Sequence, residues 1–173
     1  MLNKKIRDAF NKQLNNESFS SYLYLSMSAY CESQHLTGMA KWLRIQAEEE
    51  HGHAMKFFDY ILSRGGRVTL TEVGAPRTEW KSPLQAFEDA YNHECKISRL
   101  LNELTSVCVA EKDHAANAFL HWFVSEQVEE EATVLDITEK LRLVGDNSAA
   151  LFMIDQELGK RPFLEQSARG GTS

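Results

Sequence analysis

The chain has 173 residues, 43% of them hydrophobic and 25% charged, with three prolines and nine glycines. That suffices for one packed domain and excludes a disordered chain. A net charge of −6, from 25 acidic against 19 basic side chains, argues against a nucleic-acid surface and suits a binder of cations.

Pro76, Pro83 and Pro162 leave two proline-free stretches, 1–75 and 84–161, and helix-period patterns fill both. The first helix is expected over about 3–33, with Phe10, Leu14, Ser21, Tyr24, Ser28 and Cys31 along its seam. The second covers about 38–64, with Leu43, Ala47, Ala54, Phe57 and Ile61 on one stripe. The link over about 65–82 is too long for a tight turn. It is expected to cross the length of the bundle and leave the second and third helices parallel, with Val68, Thr69 and Leu70 as a short extended piece. The third helix starts at Ser82, a capping residue followed by Pro83 in the first turn. Its stripe is Leu84, Phe87, Tyr91, Ile97, Leu101, Leu104 and Cys108, and it breaks near Glu111, Lys112 and Asp113. A fourth helix covers about 114–143 and a short fifth about 147–159. The fold expected is all-α: one domain over 1–163 built on a four-helix bundle with a single long crossover, and a flexible polar tail over 164–173.

Three cysteines, an odd number without a Cys-x-x-Cys pair, exclude a disulfide scaffold and point to free thiols in a reducing, cytoplasmic setting. No apolar run approaches the length of a membrane span, and the N-terminus MLNKKIRDAF lacks the apolar core of a signal peptide.

The two helix hairpins overlay at an offset of 77 residues. Phe10 falls on Phe87, Asn15 on Asn92, Glu17 on Glu94, Ser21 on Ser98, Cys31 on Cys108 and Leu43 on Leu120. Glu49 falls on Glu126, Glu50 on Gln127 and His53 on Glu130. Any two amphipathic hairpins align somewhere, but most of these matches are polar and sit at seam positions. A pseudo-twofold bundle would bring each pair to opposite sides of one central point.

The seam also carries the chemistry. Glu17 lies between Leu14 and Ser21, Glu50 and His53 between Ala47 and Phe57, Glu94 between Tyr91 and Ile97, and Gln127 and Glu130 between Phe123 and Val134. Steps of three and four point all of them inward. An unpaired buried carboxylate costs several kcal/mol, and four together repel. No seam lysine or arginine stands beside them. Either the carboxyls are protonated or a cation sits among them. An oxygen-rich set with one imidazole suits iron or manganese better than a soft metal. His51 and His53 do not form a pair, because residues two apart on a helix point apart.

These residues resemble the non-haem bacterial and archaeal ferritins. The segments that carry the likeness are QLNNESFSSYLYLSMSAYC, LRIQAEEEHGHAMKFFDYI, SPLQAFEDAYNHE and FLHWFVSEQVEEEATVLDITEKL, and it covers residue 1 to about 163. The resemblance implies a ferritin-like bundle with a di-iron ferroxidase centre inside each subunit. Carried over by position, the first iron site uses Glu17, Glu50 and His53, and the second uses Glu50, Glu94 and Glu130 with the Gln127 amide nearby. A third iron site matches Glu49, Glu126 and Glu129, with Glu130 shared. Tyr24 matches a tyrosine that hydrogen-bonds near the centre and donates an electron, a role open to Trp122 as well. The substrates implied are Fe(II) with O2 or H2O2. The assembly implied is a homo-oligomeric cage of 24 subunits with the fifth helix at its fourfold contacts.

Relatives are set apart by single positions. Bacterioferritins have a second Glu-x-x-His where this chain has Gln127 and Glu130, and bind haem through a methionine where it has Gly52, so no haem is expected. Two rivals remain open at this point. One is a di-iron or di-manganese oxidase or peroxidase without mineral storage, and the other is a cage or adaptor whose acids only hold metal.

Overall fold

The computed structural model describes residues 2–163; the expected tail over 164–173 lies outside them. Five helices follow in order: α1 (Lys4–Ser33), α2 (Thr37–Ser63), α3 (Pro83–Ala110), α4 (His114–Val144) and α5 (Ser148–Leu158). Four of them start on a side-chain cap. Asn3 accepts from the Lys5 amide, Ser82 from Gln85, Asp113 from Ala116, and Asn147 from Ala149 and Ala150.

Helix α2 has no such cap of its own. The buried Asp155 carboxylate of α5 takes its place, accepting from the Met39 amide at 2.8 Å. A carboxylate at a helix N-terminus is stabilised by the orphan amides and the macrodipole. Gly38 makes the approach feasible: a Cβ there would lie 1.8 Å from the Asp155 carbonyl oxygen. Gly38→Ala is therefore expected to push α5 off α2 and cost about 1–3 kcal/mol, as overpacking does. Chemical unfolding measures that loss, and hydrogen exchange should show it concentrated in α5.

End-to-end contacts give the topology. The Leu2 amide bonds the Arg64 carbonyl, so α1 and α2 are antiparallel. Trp42 near the start of α2 packs on Phe87 near the start of α3 at 5.8 Å. At the far end, Asn3 and Lys5 reach Glu111 beyond the end of α3. Helices α2 and α3 thus run the same way, and the crossover spans the bundle. Asp113 beside Arg64 starts α4 at that end, and Thr138 late in α4 donates to the Phe87 carbonyl near the start of α3, so α4 returns antiparallel to α3.

No strand occurs in the crossover among the described residues, and the extended piece expected at 68–70 is instead pinned to α1 by asparagines. Asn11 donates to the Arg67 carbonyl and accepts from the Thr69 amide at 2.7 Å, and Asn15 donates to the Glu72 carbonyl. Ser26 holds the Arg77 carbonyl farther along. These side chains satisfy backbone groups that a strand partner would otherwise take.

The apolar interior is in two parts. One cluster gathers Tyr24, Met27, Met39, Leu43, Phe87, Val134 and Leu141 at the α5 end. The other gathers Ile6, Phe10, Phe57, Ile61, Leu101, Leu120 and Phe123 at the opposite end. Between them lie buried polar residues: Gln13, Glu17, Ser20, Gln46, Glu50, His53, His93, Glu94 and Gln127. Such a belt in the middle of a bundle is costly unless something offsets it.

Candidate metal centre

Every helix of the bundle contributes to the belt at one level. Glu17 and Tyr24 stand two turns apart on α1, and Glu50 and His53 one turn apart on α2. Glu94 comes from α3, and Gln127 and Glu130 from one face of α4. Glu17, Glu94 and Glu50 are at most 2% exposed and His53 is 7% exposed.

The ligand-type atoms form overlapping triads within 4.8 Å: Glu17–Glu50–His53, Glu50–Glu94–Glu130 and His53–Glu126–Glu130. Glu50 belongs to the first two, so one carboxylate faces both positions. The third triad brings Glu126 and Glu130 onto His53. Glu49 is turned elsewhere, its carboxylate held by Arg161 at 2.5 Å, and Glu129 is exposed.

Amides and a phenol hold the carboxylates in place. Gln13 donates to Glu17 at 2.7 Å, and Gln127 donates to Glu94 at 2.6 Å. Gln46 donates to Glu130 at 3.1 Å and, more loosely, to Glu50. Tyr24 donates to the other Glu94 oxygen. One oxygen, Oε2 of Glu17, is buried with no hydrogen-bond partner among the described residues. Its lone pairs are left for something the side chains do not supply.

Burial and mutual repulsion set the charge states. Burial, then the Glu50 carboxylate, pushes Glu17 up to about 8. Burial and the Glu94 charge raise Glu50 well above the carboxylate range, and burial with the neighbouring acids raises Glu130. Burial also raises Glu94, against the bonds from Tyr24 and Gln127. Burial lowers His53, leaving a neutral ring with a lone pair to offer. Tyr24 is raised by burial and the acids around it, so it stays a donor. Without a cation the site holds protons; a divalent cation would replace them.

Neighbours that the periodicity did not single out complete the arrangement. Gln13 and Gln46 each precede a site glutamate by four residues, a signal present in the sequence. His93 bonds Ser20 at 2.7 Å and is pushed down to about 4 by burial, so it ties α1 to α3 as a neutral ring. Trp122 sets its edge on His53 at 5.4 Å with the Lys56 ammonium over its face at 3.3 Å. Arg161 was invisible to a reading of seams because it follows α5 and reaches the rim from outside the bundle.

The family model of the Ferritin-like domain matches residues 7–144, the span of the four long helices. The chain belongs to the ferritin family. It is 44% identical over 161 residues to the bacterial non-heme ferritin of Bacteroides fragilis, covering 93% of this chain and all of that one. It is 37% identical over 166 residues to the bacterial non-heme ferritin of Staphylococcus aureus, covering 96% and 100%. Two solved structures superpose closely. An engineered closed form of the Archaeoglobus fulgidus ferritin gives a TM-score of 0.93 at 50% identity, covering 94% of this chain and 99% of that one. The open pore ferritin of the same archaeon gives 0.92 at 49%, with the same coverage.

Within this ferritin bundle, Tyr24 is the cleanest side chain to alter. Tyr24→Phe removes one donor to Glu94 and leaves the Glu17–Glu50–His53 triad untouched. It is expected to weaken cation binding at the Glu94 position by about tenfold, the usual effect of losing a group that orients a ligand. Stepwise metal titration reads this as a weaker second step beside an unchanged first.

Proposed function

We propose that this chain is an iron-storage ferritin whose bundle oxidises Fe(II) to Fe(III) with O2 or H2O2 at an intrasubunit di-iron centre. The observation that carries this is the pair of buried triads sharing Glu50, with more carboxylate charge than the neighbouring side chains compensate. One Fe(II) is held by Glu17, Glu50 and His53, the other by Glu50, Glu94 and Glu130. Hard carboxylates favour the ferric state, which lowers the free energy of oxidation. The imidazole makes the first position the firmer one; the all-carboxylate second position is looser and nearer to Gln127, whose amide holds Glu94. Tyr24 orients Glu94 and lies close enough to supply an electron. Glu49, Glu126 and Glu129 are the outer acids of a third site or of a path along which ferric product leaves. Gly52 carries no side chain to ligate a haem.

The ferric product is deposited as a mineral inside a homo-oligomeric cage, of 24 subunits by family likeness. Two exposed apolar areas support self-association: Leu143, Phe152 and Met153 around the α4–α5 corner, and Tyr22 with Leu25 on α1. No described helix is long and apolar enough to cross a membrane, in keeping with the proposed cytoplasmic location. The alternative of a di-metal oxidase acting on an organic substrate calls for a pocket at the centre. Two surface cavities, of about 490 Å³ beside Asn11 and Arg67 and about 560 Å³ beside Leu143 and Phe152, are lined by other residues.

Aerobic Fe(II) oxidation at large iron excess tests the proposal. Fast oxidation with the ferric product soluble and co-eluting with a very large particle is the expected result. Oxidation that stops after two or three irons per chain would remove storage, and no acceleration over buffer would remove the ferroxidase assignment.

A further inference from the structure

The segment that follows α5 folds back along the outer face of α2. The Gly159 carbonyl accepts from Lys41 at 2.8 Å, and the Arg161 guanidinium lies over the Trp42 ring at 4.8 Å. Arg161 then forks. One nitrogen donates to the Gln46 side-chain oxygen at 3.1 Å and the other to Glu49 at 2.5 Å. Arginine stays charged at any working pH. A permanent cation therefore stands at the rim of the centre, on the Glu49 carboxylate of α2.

The consequence is visible in which acids meet. Glu126 and Glu130 approach His53 closely enough to share an ion, whereas Glu49 is outside every such group. Gln46 connects the two regions: its oxygen is held by Arg161 while its amide donates to Glu130 and Glu50. The pair is only about a quarter exposed on either side, so water screens it incompletely.

We propose that Arg161 is a latch on the outer metal position. It holds Glu49 away from Glu126 and Glu130, and a third cation binds by taking Glu49 from it. Arg161 bonds none of the inner-triad side chains directly, so the latch acts chiefly on the weak outer position. Arg161 is a positioning residue: it touches a ligand, not the metal. The inference rests on the di-metal reading of the centre.

Zn(II), which does not change oxidation state, serves as the probe in calorimetric titration of the assembled full-length protein. The wild type is expected to take two ions per chain in tight steps and a third weakly. Arg161→Ala should tighten the third step by about tenfold and leave the first two within about twofold. Arg161→Lys, which keeps the charge without the fork, should fall between. In a Glu49→Gln background, Arg161→Ala should give no gain, because the carboxylate released by the latch is gone. A third step unchanged by Arg161→Ala overturns the latch alone, as does a gain that persists without Glu49. A wild type with no tight pair of steps overturns the di-metal reading and the latch with it.

Discussion

Glu50→Ala is expected to slow the initial oxidation of Fe(II) at least about a hundredfold. Losing a group that merely orients a metal ligand costs about 10–100-fold. Glu50 is the one carboxylate common to the Glu17–Glu50–His53 and Glu50–Glu94–Glu130 triads, so its loss strips both positions at once. The neighbours cannot replace it. Gln46 is an amide already engaged with Glu130, and Glu49 is held by Arg161. The variant should fold, because it removes a carboxyl that burial already disfavours. Stopped-flow absorbance of the ferric product measures the rate, and an initial rate equal to the wild type would sink the assignment of Glu50. Glu103→Ala makes the comparison: its carboxylate is exposed on α3 and outside the triads, so the initial rate should stay within about twofold.

The second large effect is on stability. The metal-free protein is expected to become less stable as pH rises from about 6.5 to about 8. Glu17 keeps its proton in the folded state up to about 8 against an ordinary value of 4.5. Within that window the folded chain binds more protons than the unfolded one, so raising the pH favours unfolding. Glu50, Glu94 and Glu130, also raised, act in the same direction. His53 and His93 are lowered and act the opposite way, but only below their unfolded value of 6.5. In the interval above it the carboxyls dominate, the histidine contribution fading by about pH 7.5. For Glu17 alone the loss is about 2 kcal/mol across the window. A divalent cation should abolish the decline, because it replaces the protons and binds more tightly as they leave. Denaturant unfolding at pH 6.5, 7 and 8, with and without Mn(II), reads both effects, and Glu17→Gln should flatten the metal-free curve. Metal-free stability that rises over this interval would contradict the charge states assigned to the centre.

Much of this architecture was legible in the helical period, because burial demands it. The four long helices begin and end within a residue or two of the expected bounds, where Ser82, Asp113 and the glycines cap or break them. The seam acids were legible for the same reason: a glutamate at a core position departs from the apolar pattern, and four do so at one level of the bundle. The expected extended piece at Val68–Leu70 pairs with no strand among the described residues; Asn11 of α1 takes its Thr69 amide, and Asn15 holds the chain just beyond it at Glu72. Ser21, placed on the seam, is half-buried and donates to the Ala47 carbonyl, while Ser20 faces inward to His93. A serine fits either position, so periodicity alone does not choose between them. Asp155 capping α2 and Arg161 holding Glu49 were not legible, since each joins residues more than 100 positions apart through contacts that no local pattern records.

The proposed function depends on two metal ions sharing Glu50 in the middle of each bundle. Crystals of the assembled protein loaded with Fe(II), with anomalous scattering recorded at the iron edge, test it most directly. Two peaks per chain are expected, one among Glu17, Glu50 and His53 and the other among Glu50, Glu94 and Glu130, with Glu50 touching both. A single peak away from Glu50, or none between the two apolar clusters, would contradict it.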